Sequence, residues 1–146
     1  MPLIQNKKAH FNYEILEKIE AGIELLGFEV KSLKKGQGSL EGAHITIRGN
    51  EAFVINMQIP PYQPANTPSD YDPLRNRKLL LTKKEIIALG KSEGQKGLTI
   101  VPISVYNKDK KVKIEIAVVR GKKKYDKRES IKKRDVEREI RRVASS

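Results

Sequence analysis

Two stretches of this chain alternate apolar and polar residues on either side of a short turn, and they restrict the fold more than any other feature. The first is AHITIRGNEAFVINMQI, residues 43–59, and the second is LTIVPISVYNKDKKVKIEIAVVRG, residues 98–121. Alternate residues in the second half of the latter are apolar, namely Val112, Ile114, Ile116 and Val118, whereas Lys113 and Glu115 face the other way. A period of two residues with turn residues between the runs predicts a β-hairpin in each stretch.

Four shorter patterns complete the predicted elements. YEILEKIEAGI (13–23) predicts a half-buried strand, with a helix as the alternative, and the apolar spacing over 23–36 predicts an amphipathic helix that ends near Gly36. RKLLL (77–81) predicts a short strand. Thr82 and Glu85 match a capping box, so a helix should begin there, carry apolar residues at 86, 87 and 89, and fray in GKSEGQKG.

The segment between residues 60 and 73, PPYQPANTPSDYDP, holds five of the seven prolines. Proline lacks an amide N–H, so this segment can be neither a helix nor a central strand. It predicts a long surface loop, and loops of this length in a compact domain are usually functional or mobile.

These patterns together predict a mainly β fold with flanking helices. About six short strands in adjacent hairpins, with two inserted helices, are typical of an OB-type antiparallel six-stranded β-barrel. The barrel would occupy residues 1–120, followed by a basic C-terminal tail over residues 121–146.

Charge points to a polyanionic partner. The chain of 146 residues carries 30 Lys and Arg against 18 Asp and Glu, a net charge of +12. Residues 120–146 hold twelve basic and five acidic residues, so +7 lies in the tail and +5 in the body. Such a field favours binding to nucleic acid, with a merely soluble basic protein as the alternative.

The same sequence argues against other classes of protein. It has no cysteine, no apolar run longer than four residues and no secretory leader pattern, so we expect a cytoplasmic protein without disulfides or membrane contact. Its two histidines lie in different segments, and no metal motif, phosphate loop or catalytic constellation is present. We therefore expect binding rather than catalysis, with no cofactor and no metal.

Five short motifs then occur in order along the chain and carry a family resemblance. They are NKKA (6–9), EAGI (20–23), EVKSLKKG (29–36), RKLLL (77–81) and GKKKYDKR (121–128). Together they closely resemble the SmpB (small protein B) family, the SsrA-binding proteins of bacterial trans-translation, over almost the whole chain.

The resemblance implies an OB-type body that binds the tRNA-like domain of tmRNA (SsrA RNA). It also implies a tail that occupies the empty mRNA channel of a stalled ribosome, near the ribosomal RNA of the decoding centre, so that the stalled peptide is tagged and the ribosome is rescued. The partners would be tmRNA and the ribosome, and the protein would act as a monomer.

Four RNA-binding positions carry over from the family, namely Asn6, Glu20, Leu80 and Thr82. The basic side chains expected to contact the phosphates of tmRNA are Lys7, Lys31, Lys34, Arg77 and Lys78. Glu20 could accept hydrogen bonds from a base or a 2′-hydroxyl, orient a neighbouring basic side chain, or only form a structural salt bridge. Thr82 stands where the family more often has Asn or His, so it either contacts RNA weakly or only caps the helix. Each lysine alone is also compatible with a solvated surface charge.

The tail positions that match the family's basic run form a second group. They are Arg120, Gly121, Lys122, Lys123, Tyr125, Asp126, Lys127 and Arg128. Gly121 is expected to give a flexible exit from the last strand, and Tyr125 to stack on a base. Asp126 can cap a helix whose spaced ion pairs and narrow apolar stripe predict a tail that is disordered when free and helical on the ribosome.

Three other classes of protein remain open from the residues. A ribosomal or ribosome-assembly protein would bind ribosomal RNA without preferring tmRNA. A general single-strand binder would need a platform of exposed aromatics, yet the chain has only eight Phe and Tyr. An RNA-processing enzyme would need a catalytic site that the sequence does not show.

Overall fold

The computed structural model describes residues 2–121 of the protein and consists mainly of β-strands. The strands are β1 (Pro2–Gln5), β2 (Tyr13–Ile23), β3 (His44–Arg48), β4 (Glu51–Ile55), β5 (Arg77–Leu80), β6 (Leu98–Lys108) and β7 (Lys111–Gly121). The helices are α1 (Ala9–Asn12), α2 (Gly27–Lys34) and α3 (Lys83–Glu93), with one 3-10 turn at Pro64–Asn66.

The strands form one antiparallel sheet in the order β1-β6-β7-β2-β5-β4-β3. Seven strands are present in the described residues, not the predicted six, because β1 is four residues long and begins with proline, which leaves no readable alternation. β3 lies against β6, but residues 2–121 show no ladder between the two edge strands. The mainly β fold with flanking helices is confirmed, and its barrel is an open, OB-like one.

Both predicted hairpins are present. β3 and β4 pair from His44–Ile55 to Arg48–Glu51, and β6 and β7 pair over almost their full length. In the second hairpin the two turn residues, Asp109 and Lys110, have φ values of 50° and 66°. Positive φ at both central positions matches the twist of the flanking strands, so the turn is tight although it contains no glycine.

The helices differ from their predictions at the boundaries. Residues 23–26 belong to the end of β2 and the approach to the helix, so α2 begins only at Gly27. Gly36 ends it as predicted: its φ is +75°, and its N–H donates to the Leu33 carbonyl at 2.9 Å. α3 continues through Gly90 to Glu93, beyond the point where fraying was expected.

β6 and β7 are buried on both faces, which explains their long apolar runs. Ile114, Ile116 and Val118 lie in the main core, and Val112 packs against it, as the alternation predicted. The opposite face carries a second cluster, which α1 covers through Ala9. β2 pairs with β7 along most of its length, so β2 and the β6–β7 hairpin form the centre of the sheet.

Candidate nucleic-acid interface

An apolar groove opens at the C-terminal end of β2, where β5, α2 and the β6–β7 hairpin meet. It has a volume of about 320 Å³ and contains the apolar side chains of Ile23, Leu25, Val30, Leu80 and Val112. Its remaining lining residues are Gly22 and three lysines of the hairpin, Lys110, Lys111 and Lys113. We call this surface the apolar groove; its apolar floor beside three cations suits a base and its phosphate.

Leu80 is the most exposed apolar residue of this groove, with 52% of its surface accessible. It lies directly over Gly22, where an added Cβ would come within 3.1 Å of the Leu80 Cβ. The glycine therefore lets β5 bring Leu80 across the end of β2. Because the Gly22 backbone lies beneath it, the Leu80 side chain stays exposed and can pack against the face of a base.

Glu20 lies two residues before Gly22 on the same strand and is held by two neighbours. The Tyr106 hydroxyl donates to Glu20 Oε2, and Lys108 Nζ lies 3.2 Å from Oε1. The Tyr106 hydrogen bond and then the Lys108 hydrogen bond hold the pKa of the Glu20 carboxyl below its usual range. Burial and the Glu20 hydrogen bond raise the pKa of Tyr106. Glu20 thus forms an exposed ion pair with Lys108 and a hydrogen bond with Tyr106, which fits both the salt-bridge role and the orienting role and leaves its contact with RNA a prediction.

Arg77 does not lie on this surface, contrary to the expectation that it contacts phosphate. Its side chain is fully buried, and its Nε donates to Glu29 Oε2 at 2.7 Å. Nη1 donates to the Met57 carbonyl at 2.6 Å, and Nη2 donates to the Tyr71 hydroxyl at 3.0 Å. The guanidinium therefore connects β5, α2 and the proline-rich segment in the interior and cannot reach RNA.

The comparisons with known proteins decide the family. The SmpB family model, described as "SmpB protein", matches residues 3–146. This chain belongs to the SmpB family. The match extends through the C-terminal segment, so it covers both the body and the basic run of the sequence.

Similar proteins agree with this assignment. The SsrA-binding protein of Oleidesulfovibrio alaskensis is 54% identical over 96% of this chain and 90% of the relative, and that of Malacoplasma penetrans is 49% identical over 96% and 95%. The SsrA-binding protein of Persephonella marina is 53% identical over 92% of this chain and 88% of the relative. A solved structure described as "tmRNA-SmpB: a journey to the center of the bacterial ribosome" has a TM-score of 0.69 and 39% identity, covering 87% of this chain and 92% of that chain.

The basic residues of the body that are expected to contact tmRNA phosphates are spread over the molecule. Lys31 and Lys34 are exposed on α2, and Lys31 Nζ lies 6.0 Å from the centroid of the Tyr62 ring. Lys78 is half-buried, with its Nζ 3.6 Å from Glu51 Oε1. None of these three lines the apolar groove. Their contact with tmRNA stays a prediction.

Asn6 and Lys7, the predicted RNA-binding residues near the N-terminus, lie outside the apolar groove. Asn6 is half-buried, and its Nδ2 donates to the Pro102 carbonyl at 3.0 Å, so this amide already ties the chain to β6. Lys7 is exposed beside it. The geometry gives Asn6 a structural role and leaves its expected RNA contact untested.

Thr82 caps α3 as the sequence predicted. Its Oγ1 accepts from the Glu85 N–H at 3.2 Å, and the Glu85 carboxylate accepts from the Thr82 N–H at 3.0 Å. The Thr82 hydroxyl also donates to Glu85 Oε1 at 2.9 Å. The prediction that Thr82 caps α3 is confirmed, and its predicted contact with RNA stays untested.

Replacing Thr82 by alanine separates the two roles. Loss of the cap should lower the free energy of unfolding by about 1 kcal/mol, because the amide at the third helical position loses its acceptor. If Thr82 only caps, affinity for tmRNA stays unchanged in the folded variant; the measurements are thermal unfolding and RNA titration. Thr82→Ser keeps both the cap and the hydroxyl and serves as the control. A drop in the affinity of the folded Thr82→Ala variant for tmRNA, with Thr82→Ser binding as the wild type does, would assign the hydroxyl to RNA.

Only the first two residues of the predicted tail group, Arg120 and Gly121, belong to the described part of the chain. Arg120 is exposed on β7, with its Nη1 3.9 Å from Glu14 Oε2. Gly121 is still paired with Tyr13, so it is the last residue of the strand and not a flexible exit. The predictions for Lys122, Lys123, Tyr125, Asp126, Lys127 and Arg128, and for a conditional helix, lie outside the described residues.

Sequence reasoning missed the basic side of the apolar groove. Lys110, Lys111 and Lys113 belong to the run KDKKVK, which was interpreted only as a hairpin turn. Four lysines within six residues at a tight turn were the available signal, because such a turn cannot bury them. Tyr106, the hydrogen-bond partner of Glu20, was also missed, since pairing across 86 residues has no local signature.

Residues 2–121 contain no group of three or more side chains placed to hold a metal ion. No helix in that part of the chain is long and apolar enough to cross a membrane.

Proposed function

We propose that this chain is an SsrA-binding protein that binds the tRNA-like domain of tmRNA and delivers it to stalled ribosomes in trans-translation. The observation that carries the proposal is the family match over residues 3–146, at about half identity to several SsrA-binding proteins. The apolar groove with its three lysines supplies a surface of the chemistry that such an RNA needs.

The groove would read the RNA by shape and by an unstacked base. A-form RNA hides its base edges in a deep groove, so proteins contact unpaired bases, 2′-hydroxyls and phosphates. Leu80 offers an apolar face to a base, and Lys110 and Lys111 offer charges to the adjoining phosphates. Glu20 contributes acceptors for a base amino group or a 2′-hydroxyl while it keeps Lys108 in place.

The tail supplies the second half of the proposed function. Residues 121–146 would enter the empty mRNA channel and fold there as a helix, so that mRNA and tail exclude each other. The density of positive charge in residues 120–146 supports this through attraction to ribosomal RNA. The protein would act in the cytoplasm as a monomer, by binding and not by catalysis.

Substituting Leu80 tests the groove as the tmRNA site. Leu80→Ser should lower affinity for the tRNA-like domain about tenfold, because burying an exposed leucine side chain against a base contributes on the order of 1.5 kcal/mol. The affinity is measured by fluorescence titration at physiological salt. Ile87→Ser is the matched control: Ile87 on α3 is 51% exposed, almost as much as Leu80, but lies outside the groove.

The Ile87→Ser control shows whether a loss of affinity for the tRNA-like domain is specific to the groove. The control variant should bind as the wild type does, and both variants should keep the wild-type unfolding midpoint. Equal losses in both variants would move the RNA site away from the groove. Equal binding of wild type to tmRNA and to an unrelated structured RNA would favour a general ribosomal RNA-binding protein.

A further inference from the structure

The turn between β6 and β7 places a lysine in a backbone conformation that few residue types adopt. The two strands pair up to the residues on either side, so Asp109 and Lys110 alone form the turn, with φ values of 50° and 66°. In this left-handed region the Cβ of an L-residue crowds the following carbonyl oxygen, so such turns favour glycine, asparagine and aspartate. Asn56 and Asp109 are the other non-glycine residues with positive φ in residues 2–121, and both belong to that group. Lys110 is therefore the exception.

The side chain of Lys110 does not compensate for this strain inside the protein. It is exposed, and among residues 2–121 it makes no hydrogen bond or ion pair. A glycine in its place would relax the backbone without breaking a hydrogen bond or an ion pair in that part of the chain. Residues in such sparsely populated conformations cluster at functional sites, so Lys110 is a candidate for binding a partner.

Lys110 lies beside the apolar groove, and the described residues do not neutralise its charge. It lines the groove together with Leu80 and Lys111. Lys108, just before the turn, differs, because its Nζ lies 3.2 Å from Glu20 Oε1. Lys110 is thus better placed than Lys108 to meet the negative charge of a nucleic acid.

A phosphate group is the anion that this position suits. The lysine ammonium is a compact point charge on a flexible stem, and it binds phosphate without the fixed two-pronged geometry of arginine. In a nucleotide packed against Leu80, the base would occupy the apolar floor of the groove and the phosphate would lie at its basic rim. Because the turn is exposed, an RNA strand along this rim can reach Lys110 without rearrangement of the fold.

We propose that Lys110 binds a backbone phosphate of the tRNA-like domain at the edge of the apolar groove, and that the turn keeps a lysine in a left-handed conformation for this contact. The inference rests on the proposed function, since it needs the tRNA-like domain in the groove. It adds that one RNA contact of this chain is made at a cost in folding stability. Binding and stability should then respond in opposite directions when Lys110 is replaced by glycine.

Two substitutions of Lys110 separate its charge from its backbone. Lys110→Ala removes the charge but keeps a Cβ, whereas Lys110→Gly removes both. Each should lower the affinity for the tRNA-like domain about fivefold at physiological salt and reduce the slope of log affinity against log salt concentration by about 0.7–0.9, because one phosphate contact no longer releases a counterion. Lys110→Gly alone should raise the unfolding midpoint, by about 2–4 °C, since glycine adopts positive φ without strain.

Two further variants serve as controls. Lys110→Arg keeps the charge and should recover most of the affinity and the whole salt slope, since a guanidinium can still neutralise a phosphate. Lys96→Ala removes another exposed lysine that makes no ion pair in residues 2–121 and lies outside the groove, so it should bind as the wild type does. The measurements are fluorescence titration at several salt concentrations and thermal unfolding.

The outcomes distinguish this inference from the proposed function. Weaker binding and a smaller salt slope in both Lys110→Ala and Lys110→Gly, with a higher midpoint only in the latter, support the inference. Wild-type affinity in both variants overturns the phosphate contact, and an equal loss in Lys96→Ala replaces it with general attraction between charges. A midpoint for Lys110→Gly at or below that of Lys110→Ala overturns the strain at the turn. Failure of the wild type to bind the tRNA-like domain overturns the proposed function instead.

Discussion

Replacing Arg77 by leucine should lower the free energy of unfolding by about 3–5 kcal/mol, the usual cost of breaking a buried ion pair. Leucine fills part of the volume but removes every donor of the guanidinium. Glu29, which is fully buried, loses its bond to Arg77 Nε, and the Met57 and Pro73 carbonyls lose theirs to Nη1 and Nη2. The measurement is chemical denaturation of the wild type and the variant.

Two neighbouring cations give a graded control for this prediction. Arg75 also binds Glu29, through Nη2 at 2.5 Å, but its side chain is 31% exposed and water can replace it. Arg75→Ala should therefore cost about 1.5–3 kcal/mol. Lys78 faces Glu51 on the surface at 3.6 Å, and Lys78→Ala should cost less than about 1 kcal/mol. Equal losses in all three variants would contradict a specific role for burial.

The pH dependence of stability distinguishes lost charge from lost packing in the Arg77 variant. Burial alone would raise the pKa of Glu29, but hydrogen bonds from Arg75, the Leu26 N–H and Arg77 outweigh it and lower that pKa. The carboxylate therefore stabilises the fold above its unfolded pKa of about 4.3, and this contribution is lost as the pH falls through the folded value. Arg77→Leu should show a smaller loss of stability below about pH 4 than the wild type.

The burial of Arg77 is a feature that the sequence could not predict, although its strand could be predicted. The strand RKLLL was predicted correctly, because its apolar residues and the Thr82–Glu85 capping box are local signals. The inward direction of Arg77 depends on Glu29, 48 residues away, and on Tyr71 of the proline-rich segment. No local pattern marks such a partner. A surface cation and a buried one therefore look alike in the sequence.

The proline-rich segment was predicted as a surface loop, and the structure explains why it is also anchored. The Tyr71 hydroxyl lies 2.8 Å from both Glu29 Oε2 and the Ile59 carbonyl oxygen and shares its single proton between them. Its ring meets Phe28 edge-on, with centroids 4.7 Å apart. Burial and then the hydrogen bond to the Glu29 carboxylate raise the pKa of Tyr71 to about 12. One aromatic residue thus fixes a segment that its prolines keep out of the sheet.

The residues of the candidate site also fall into two groups, those that the sequence predicts and those that only the fold brings together. Leu80 and Glu20 were available from their family motifs, and both lie near the C-terminal end of β2. The lysines beside Leu80 come from the β6–β7 turn, and only the register of the sheet brings that turn to β5. Antiparallel pairing places residues far apart in sequence side by side, so local patterns predict strands better than surfaces.

Removing residues 122–146 should abolish peptide tagging on stalled ribosomes while binding to the tRNA-like domain largely survives. The cut follows Gly121 because this residue still pairs with Tyr13, so the strand that carries Arg120 stays complete. The apolar groove lies at the other end of β2, about 33 Å from the cut, and keeps all its residues. The two measurements are RNA titration and a tagging assay with a truncated mRNA.

A variant with residues 122–146 in scrambled order is the matched control for this truncation. It keeps eleven basic and five acidic residues, and so the same charge, but loses the order GKKKYDKR and the spaced ion pairs. If the tail only attracts RNA phosphates, the scrambled variant tags peptides as the wild type does, because such attraction does not depend on order. We expect it to fail, since a helix that caps at Asp126 needs its residues in place. Joint loss of tmRNA binding and tagging after truncation would show instead that body and tail form one binding surface.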